Sequence, residues 1–205
     1  MTPRDDILTR VKTAIGQAEP GPPVPRDYRT STTDGLDTFL DRLAHYDATT
    51  HVIDAADLDA TIKAALEDRK RVIVPDGWTT AVEDPLTDDP PLPHDQIDQS
   101  QGVLTTCALA IAQTGTIILN GGPGMGRRAL TLLPDYHLCV VKHDQIVASV
   151  PEAIATLQNH PTRPITFISG PSATVDIEMT RVRGVHGPRN LEVIVTTTAQ
   201  SDKET

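Results

Sequence analysis

GTIILNGGPGMGRRALTLLPDYHLCVVK, residues 115–142, sets two apolar runs on either side of a segment that holds four glycines, a proline and two arginines. Neither run alternates with polar residues, as a strand with one wet face would. Continuous apolar runs suit strands buried on both faces. The same composition recurs in RVIVP (71–75), PITFIS (164–169) and LEVIVT (191–196), and GVLTT (102–106) and THVIDA (50–55) read as further strands. Between them lie helical patterns. DGLDTFLDRLAHY (34–46) repeats Leu36, Phe39, Leu40 and Leu43, and DLDATIKAALEDRK (57–70) repeats Leu58, Ile62, Ala65 and Leu66. CALAIAQ (107–113) reads as a short helix, and SVPEAIATLQ (149–158) opens on Ser149-x-x-Glu152, a capping box. Strands alternating with helices predict an α/β domain with a mostly parallel sheet flanked by helices and joined by right-handed crossovers.

The N-terminus is different. TPRDDILTRVKTAIGQA offers Thr2 as a cap, Pro3 in the first turn and Ile7, Leu8, Val11 and Ile15 on one stripe. Four prolines in EPGPPVPRDY (19–28) then force an extended linker. The organisation expected is a helical arm over 1–18, a proline-rich linker over 19–33, an α/β domain over 34–198 and a polar tail over 199–205. The arm's apolar stripe needs a surface to cover, its own domain or a second subunit. EDPLTDDPPLPHD (83–95), with four prolines and heavy charge, is expected as a surface loop.

Composition narrows the function. The net charge is −10, the wrong sign for neutralising phosphate on nucleic acid or for lying on an anionic membrane. No apolar run approaches the length of a membrane span, and the N-terminal residues lack the apolar h-region of a signal peptide, so a cytoplasmic protein is expected. Cys107 and Cys139 lie outside any C-x-x-C spacing and sit in apolar runs, where they read as packing. His45, His51, His94, His137, His143 and His160 show no ligand spacing, so no metal is expected.

Two stretches carry chemistry. In the first, the glycines do not form a dinucleotide fingerprint: from Gly122 the pattern is G-x-G-x-x-R. Gly121 and Gly126 have phosphate-loop separation, but Arg127 stands where lysine belongs and Arg128 where Ser/Thr would hold magnesium. What remains is an anion cradle, in which Gly121, Gly122, Gly124 and Gly126 let backbone N–H groups converge and Arg127 and Arg128 add charge. The bland counterpart is a glycine-rich turn with two solvated arginines. Because the loop follows a strand, the carboxyl edge of the sheet is the expected location.

The second stretch, SGPSATVDIEMTRVRGVHGPRNLEV (169–193), offers Ser169, Gly170 and Ser172 at a strand-to-loop switch, then Asp176, Glu178, His186 and Arg189. Asp176, Glu178 and His186 are the catalytic candidates. On a regular helix Asp176 and Glu178 diverge, and Glu178 with Arg181 forms an ordinary i,i+3 pair. His186, between Gly184 and Gly187, has the chemistry of an acid or base near neutral pH, and equally that of a backbone-bonded turn histidine.

AIAQTGTIILNGGPGMGRRALTLLPDYHLCVV and FISGPSATVDIEMTRVRGVHGPRNLEVIV together closely resemble the lactate-utilisation protein C family, built on the LUD domain, over roughly residues 100–196. The resemblance implies a fold similar to the ribose-5-phosphate isomerase, glucosamine-6-phosphate deaminase and CoA-transferase group. It implies a role in oxidising L-lactate to pyruvate beside iron–sulfur partner proteins. This chain has no cysteine set for a cluster, so the clusters belong to those partners and no cofactor is expected here. Family members often read A-E-T-G-T where this chain has Ala112-Gln113-Thr114-Gly115-Thr116. Gln113 cannot serve as a carboxylate base, but with Thr114, Gly115 and Thr116 it can contact a ligand. Three functions stand side by side: a non-redox component of a lactate-oxidising system that binds a small anionic ligand, carboxylate or phosphate, a free-standing enzyme on a sugar phosphate or CoA ester, and a non-catalytic anion-sensing or scaffold protein.

Overall fold

A computed structural model describes residues 2–16, 21–25, 27–78, 82–160, 162–174, 182–184 and 186–197. Two sheets lie face to face. Helix α1 (Pro3–Ile15) precedes α2 (Leu36–His45), β1 (Thr49–Asp54), α3 (Leu58–Leu66), β2 (Val72–Ile73), α4 (His94–Asp98), β3 (Gly102–Thr106), β4 (Leu109–Ile111), β5 (Thr116–Leu119) and β6 (Tyr136–Lys142). After these come β7 (Ile146–Val147), α5 (Val150–Leu157), β8 (Thr166–Ile168), β9 (Ala173–Thr174), β10 (Val182–Arg183) and β11 (Asn190–Thr197). The central sheet runs β1-β11-β6-β3-β2, every pair parallel. The second runs β7-β4-β5-β8, with β5 antiparallel to both its neighbours.

Strand β6 shows how the layers form. Tyr136, Leu138 and Val140 pack with Ile62 and Leu66 of α3 on one face, while Cys139 and Val141 face the second sheet through Ala110, Ile117 and Leu119. Both faces are dry, and the strand is apolar apart from the buried His137 and the exposed Lys142 at its end. On the outer side of the second sheet, α5 covers Ile111 and Ile118 with Ala153 and Leu157.

Three local expectations change. CALAIAQ is not helical: Leu109–Ile111 is strand β4, paired with β5 across a turn in which Gly115 takes φ 60°. A short apolar run is compatible with either state, and the neighbouring strand decides. The loop 83–95 begins α4 at His94. At α5 the capping box is replaced. Ser149 Oγ donates to Thr30 O and Glu152, and the Glu152 carboxylate accepts from Ala148 N–H, so the linker is pinned to the helix N-terminus. The box forms instead at α1, where Thr2 and Asp5 bond reciprocally. None of α1 is buried, and Ile7, Leu8, Val11 and Ile15 are exposed.

Candidate functional site

The glycine loop sits where the sequence places it, at the carboxyl ends of β2 and β3, with three of its backbone donors engaged. Gly124 N–H donates to Asp76 O at 2.6 Å, Met125 N–H to Gly122 O at 3.1 Å and Gly122 N–H to the Asn120 side chain at 3.1 Å. Gly124 O in turn accepts from Thr106 N–H at 2.8 Å. Gly121, Gly124 and Gly126 all take positive φ, and a Cβ on Gly124 would stand 2.8 Å from Thr106 Oγ1. The glycines let the loop bend back and press against the sheet edge.

Arg127 completes this clamp. Its Nε and Nη2 donate to the two oxygens of Asp88 at 2.8 and 3.0 Å, and Nη2 also donates to Leu92 O at 2.6 Å. Burial works against ionisation of Asp88, but the Arg127 hydrogen bonds, the Leu92 N–H and the guanidinium's attraction outweigh it and hold the carboxyl below its ordinary range. Arg127 thus fastens the proline-rich loop to the glycine loop. The amides of Gly122, Gly124 and Met125 and the Arg127 guanidinium are thus engaged within the protein.

Arg128 goes elsewhere. The chain leaves the loop along the sheet face through the 3-10 turn Arg128–Thr131, anchored by the fully buried Leu130, and enters β6 at the opposite edge. There a cavity of about 140 Å³ opens between that turn, the edge strand β8 and the amino ends of β6 and β11. Its polar wall is Arg128, Thr131, His137, Ser169, Ser172 and His186; Phe167, Ile168 and Leu191 supply apolar surface. A separate cleft of about 500 Å³ lies at the glycine loop itself, lined by Gly121, Gly122, Gly126 and Arg127; the pocket that gathers Arg128 with Ser169, Ser172 and His186 lies at the amino edge, because the run after the glycine loop traverses the sheet.

Each polar group is held. Arg128 Nη1 donates to Thr131 Oγ1 at 3.1 Å. Among the described residues no carboxylate pairs with Arg128, and burial alone lowers its pKa, leaving it a cation. Ser169 Oγ bonds Thr116 Oγ1 at 2.7 Å, which bonds Thr114 Oγ1 at 2.7 Å. Ser172 is fixed three times: its N–H donates to Pro188 O, its carbonyl accepts from Gly184 N–H, and its Oγ accepts from His186 N–H at 3.0 Å. That leaves the Ser172 hydroxyl hydrogen for another acceptor. His137, only 1% exposed, bonds Thr105 Oγ1 through Nε2 at 2.7 Å.

Other predicted positions are placed differently. Arg189 pairs with Asp135 at 2.6 and 2.9 Å, and that guanidinium pulls the Asp135 carboxyl down. Gln113 joins the β4–β5 turn through its N–H to Ala148 O, away from the pocket wall. Gly115 lies beneath α2, where a Cβ would stand 2.5 Å from Arg42 Cβ; Gly170 does line the pocket, and a Cβ there would meet Tyr46 as closely. Thr116 reaches the pocket indirectly, through Ser169. Asp176 and Glu178 lie outside the described residues. Both cysteines are buried, as expected.

Sequence reasoning passed over His137. Its signal was available: in HLCVVK, positions 137, 139 and 141 share a strand face, so this histidine points into the space between the sheets. Among the described residues no three His, Cys, Asp or Glu side chains group for a metal, and no helix is long and apolar enough to cross a membrane.

Fold and pocket together define an α/β protein with a parallel central sheet, a second sheet packed on it, and a small cationic pocket between them. The LUD domain family model matches residues 28–196, and the chain belongs to that family. A lactate utilization protein C of Deinococcus radiodurans is 46% identical over 198 residues, 93% of each chain. A lactate utilization protein C of an Exiguobacterium species is 25% identical, over 95% of this chain and 96% of that one. The crystal structure of a DUF162 family protein from Deinococcus radiodurans superposes with a TM-score of 0.69 at 43% identity, over 78% of this chain and 94% of that one.

Proposed function

We propose that the protein is a cytoplasmic, non-redox component of an L-lactate-oxidising system, and that its amino-edge pocket holds a small carboxylate through Arg128. The observation that carries the reading is the size and charge of the cavity. A cavity of about 150 Å³ holds a ligand of about six non-hydrogen atoms, the size of lactate or pyruvate. At about 140 Å³ this pocket matches, with one cation beside fixed hydroxyls. Sugar phosphates and CoA esters are several times larger. The relatives' name, lactate utilization protein C, supports the same assignment.

Oxidising L-lactate to pyruvate removes two electrons and two protons. The only cysteines here are Cys107 and Cys139, both buried, so the electrons pass to iron–sulfur clusters on partner proteins. This subunit supplies binding and orientation. The exposed stripe of α1 serves as a contact surface for a second copy. Removal of residues 1–18 is expected to lower the oligomeric state in light scattering; an unchanged mass removes that assignment.

Calorimetry on the purified chain tests the pocket. L-Lactate or pyruvate should bind, Arg128→Gln should weaken binding at least tenfold, and acetyl-CoA and glucosamine 6-phosphate should not compete. Competition by either would favour a free-standing enzyme. Gene deletion should abolish growth on L-lactate and spare growth on pyruvate. Carboxylate binding with unimpaired growth on L-lactate would favour a sensing role.

A further inference from the structure

We infer that His137, positioned by Thr105, is the specificity-determining residue of the pocket, selecting carboxylates that carry a hydroxyl or carbonyl oxygen on the adjacent carbon. The inference rests on the reading of this pocket as a small-carboxylate site.

The pocket offers two histidines of different kinds. His186 belongs to an exposed loop and is fixed through its backbone N–H, so its ring is not tied by that bond. His137 stands on the central strand β6, fully enclosed, beside the equally buried Thr105 of β3. Its Nε2 is engaged by Thr105 Oγ1 at 2.7 Å. That bond fixes the ring plane and leaves Nδ1 as the nitrogen for a ligand. The imidazole has one donor and one acceptor when neutral, so it can serve a hydroxyl in either sense or a carbonyl as donor.

Arg128 takes the carboxylate, because it is the pocket's cation. The next polar group on a short acid is the C2 oxygen, and the buried imidazole is the rigid partner for it. An acid without that oxygen leaves His137 facing an apolar carbon, and an unpaired buried polar group costs far more than a missing apolar contact. This is discrimination by an unmet hydrogen bond, stronger than a pocket achieves by shape alone. Cys139, opposite Thr105 in the β3–β6 register and fully buried, backs the pair from the core side.

The test compares L-lactate with propionate, which keeps the carboxylate and lacks the C2 oxygen, by calorimetry on the full chain. The wild type should bind L-lactate at least tenfold more tightly. His137→Phe should erase that ratio while propionate affinity stays within about threefold. Thr105→Val should narrow the ratio and Thr105→Ser should preserve it. In the unsubstituted protein the His137 imidazole nitrogen resonances should move on adding L-lactate and stay put with propionate, a readout independent of whether any variant folds. An unchanged ratio in His137→Phe, or unmoved resonances, overturns the role of His137 and leaves the carboxylate site standing. If the wild type binds neither acid, the site assignment and this inference fall together.

Discussion

Arg127 and Arg128 are neighbours in the chain, and the fold gives them opposite employment. Arg127 turns back to Asp88 and Leu92 and closes a loop at the carboxyl edge of the sheet. Arg128 starts the turn that leads to the amino edge, where it stands in a small cavity among hydroxyls and histidines. Both regions carry glycine and arginine, yet one ties its arginine to a carboxylate, while in the other no carboxylate among the described residues pairs with the arginine. Cationic, glycine-rich composition marks a place where backbones come close; only the partner list says whether a charge is left for a ligand.

That contrast can be broken, most forcefully at the carboxyl edge. Gly124→Ala must hold φ 71° with a Cβ 2.8 Å from Thr106 Oγ1, and is expected to cost roughly 2–4 kcal/mol in urea unfolding. A loss below about 0.5 kcal/mol would show that the loop is not clamped. Arg127→Gln leaves Asp88 half-enclosed without its partner. Because Arg127 is itself about a third exposed, the expected loss is about 1–2 kcal/mol, with lactate affinity changed less than about threefold. A large affinity loss with intact stability would return Arg127 to the site.

Acid should erase part of the clamp. The folded-state pKa of Asp88 is depressed, so its contribution is present above the ordinary aspartate value of 3.8 and is lost as the pH falls through the lower folded value. Asp88→Asn is therefore expected to be less stable than wild type at pH 6, with the gap narrowing as the pH falls below 3.8. A gap of constant size from pH 6 down through the acid range would assign the loss to packing. Smaller still, Arg128→Gln should change stability by no more than about 0.5 kcal/mol while abolishing tight carboxylate binding. Smallest of all, Arg189→Gln breaks an exposed pair with Asp135 and should leave Tm unmoved; a measurable drop would make that pair structural.

Legibility in the sequence followed the range of the deciding interaction. Leu36, Phe39, Leu40 and Leu43 announce α2 because one helix face suffices to bury them, and Phe39 and Leu43 are fully enclosed. The capping box at Thr2 and Asp5 is local and was readable. CALAIAQ was not, because its strand state depends on pairing Leu109–Ile111 with β5. Ser149-x-x-Glu152 has the right spacing for a capping box, but Thr30, 119 residues away, captures the serine hydroxyl. Ser169, Ser172, Arg128 and His186 were readable as site residues and do share one pocket. The alternation in HLCVVK gave the face on which His137 lies, but not its partner Thr105, which lies 32 positions upstream on another strand.

The sequence by itself determined that this is an α/β chain with strands dry on both faces, and its long motifs were enough to indicate the LUD family. Period, propensity and capping are short-range properties, and they were written in consecutive residues. Tertiary structure alone decided which arginine has no carboxylate partner among the described residues, which histidine is rigid and at which edge the pocket with Arg128 lies. Those outcomes depend on contacts such as Arg127 with Asp88, 39 residues apart, and His137 with Thr105, which exist only once the strands are laid side by side.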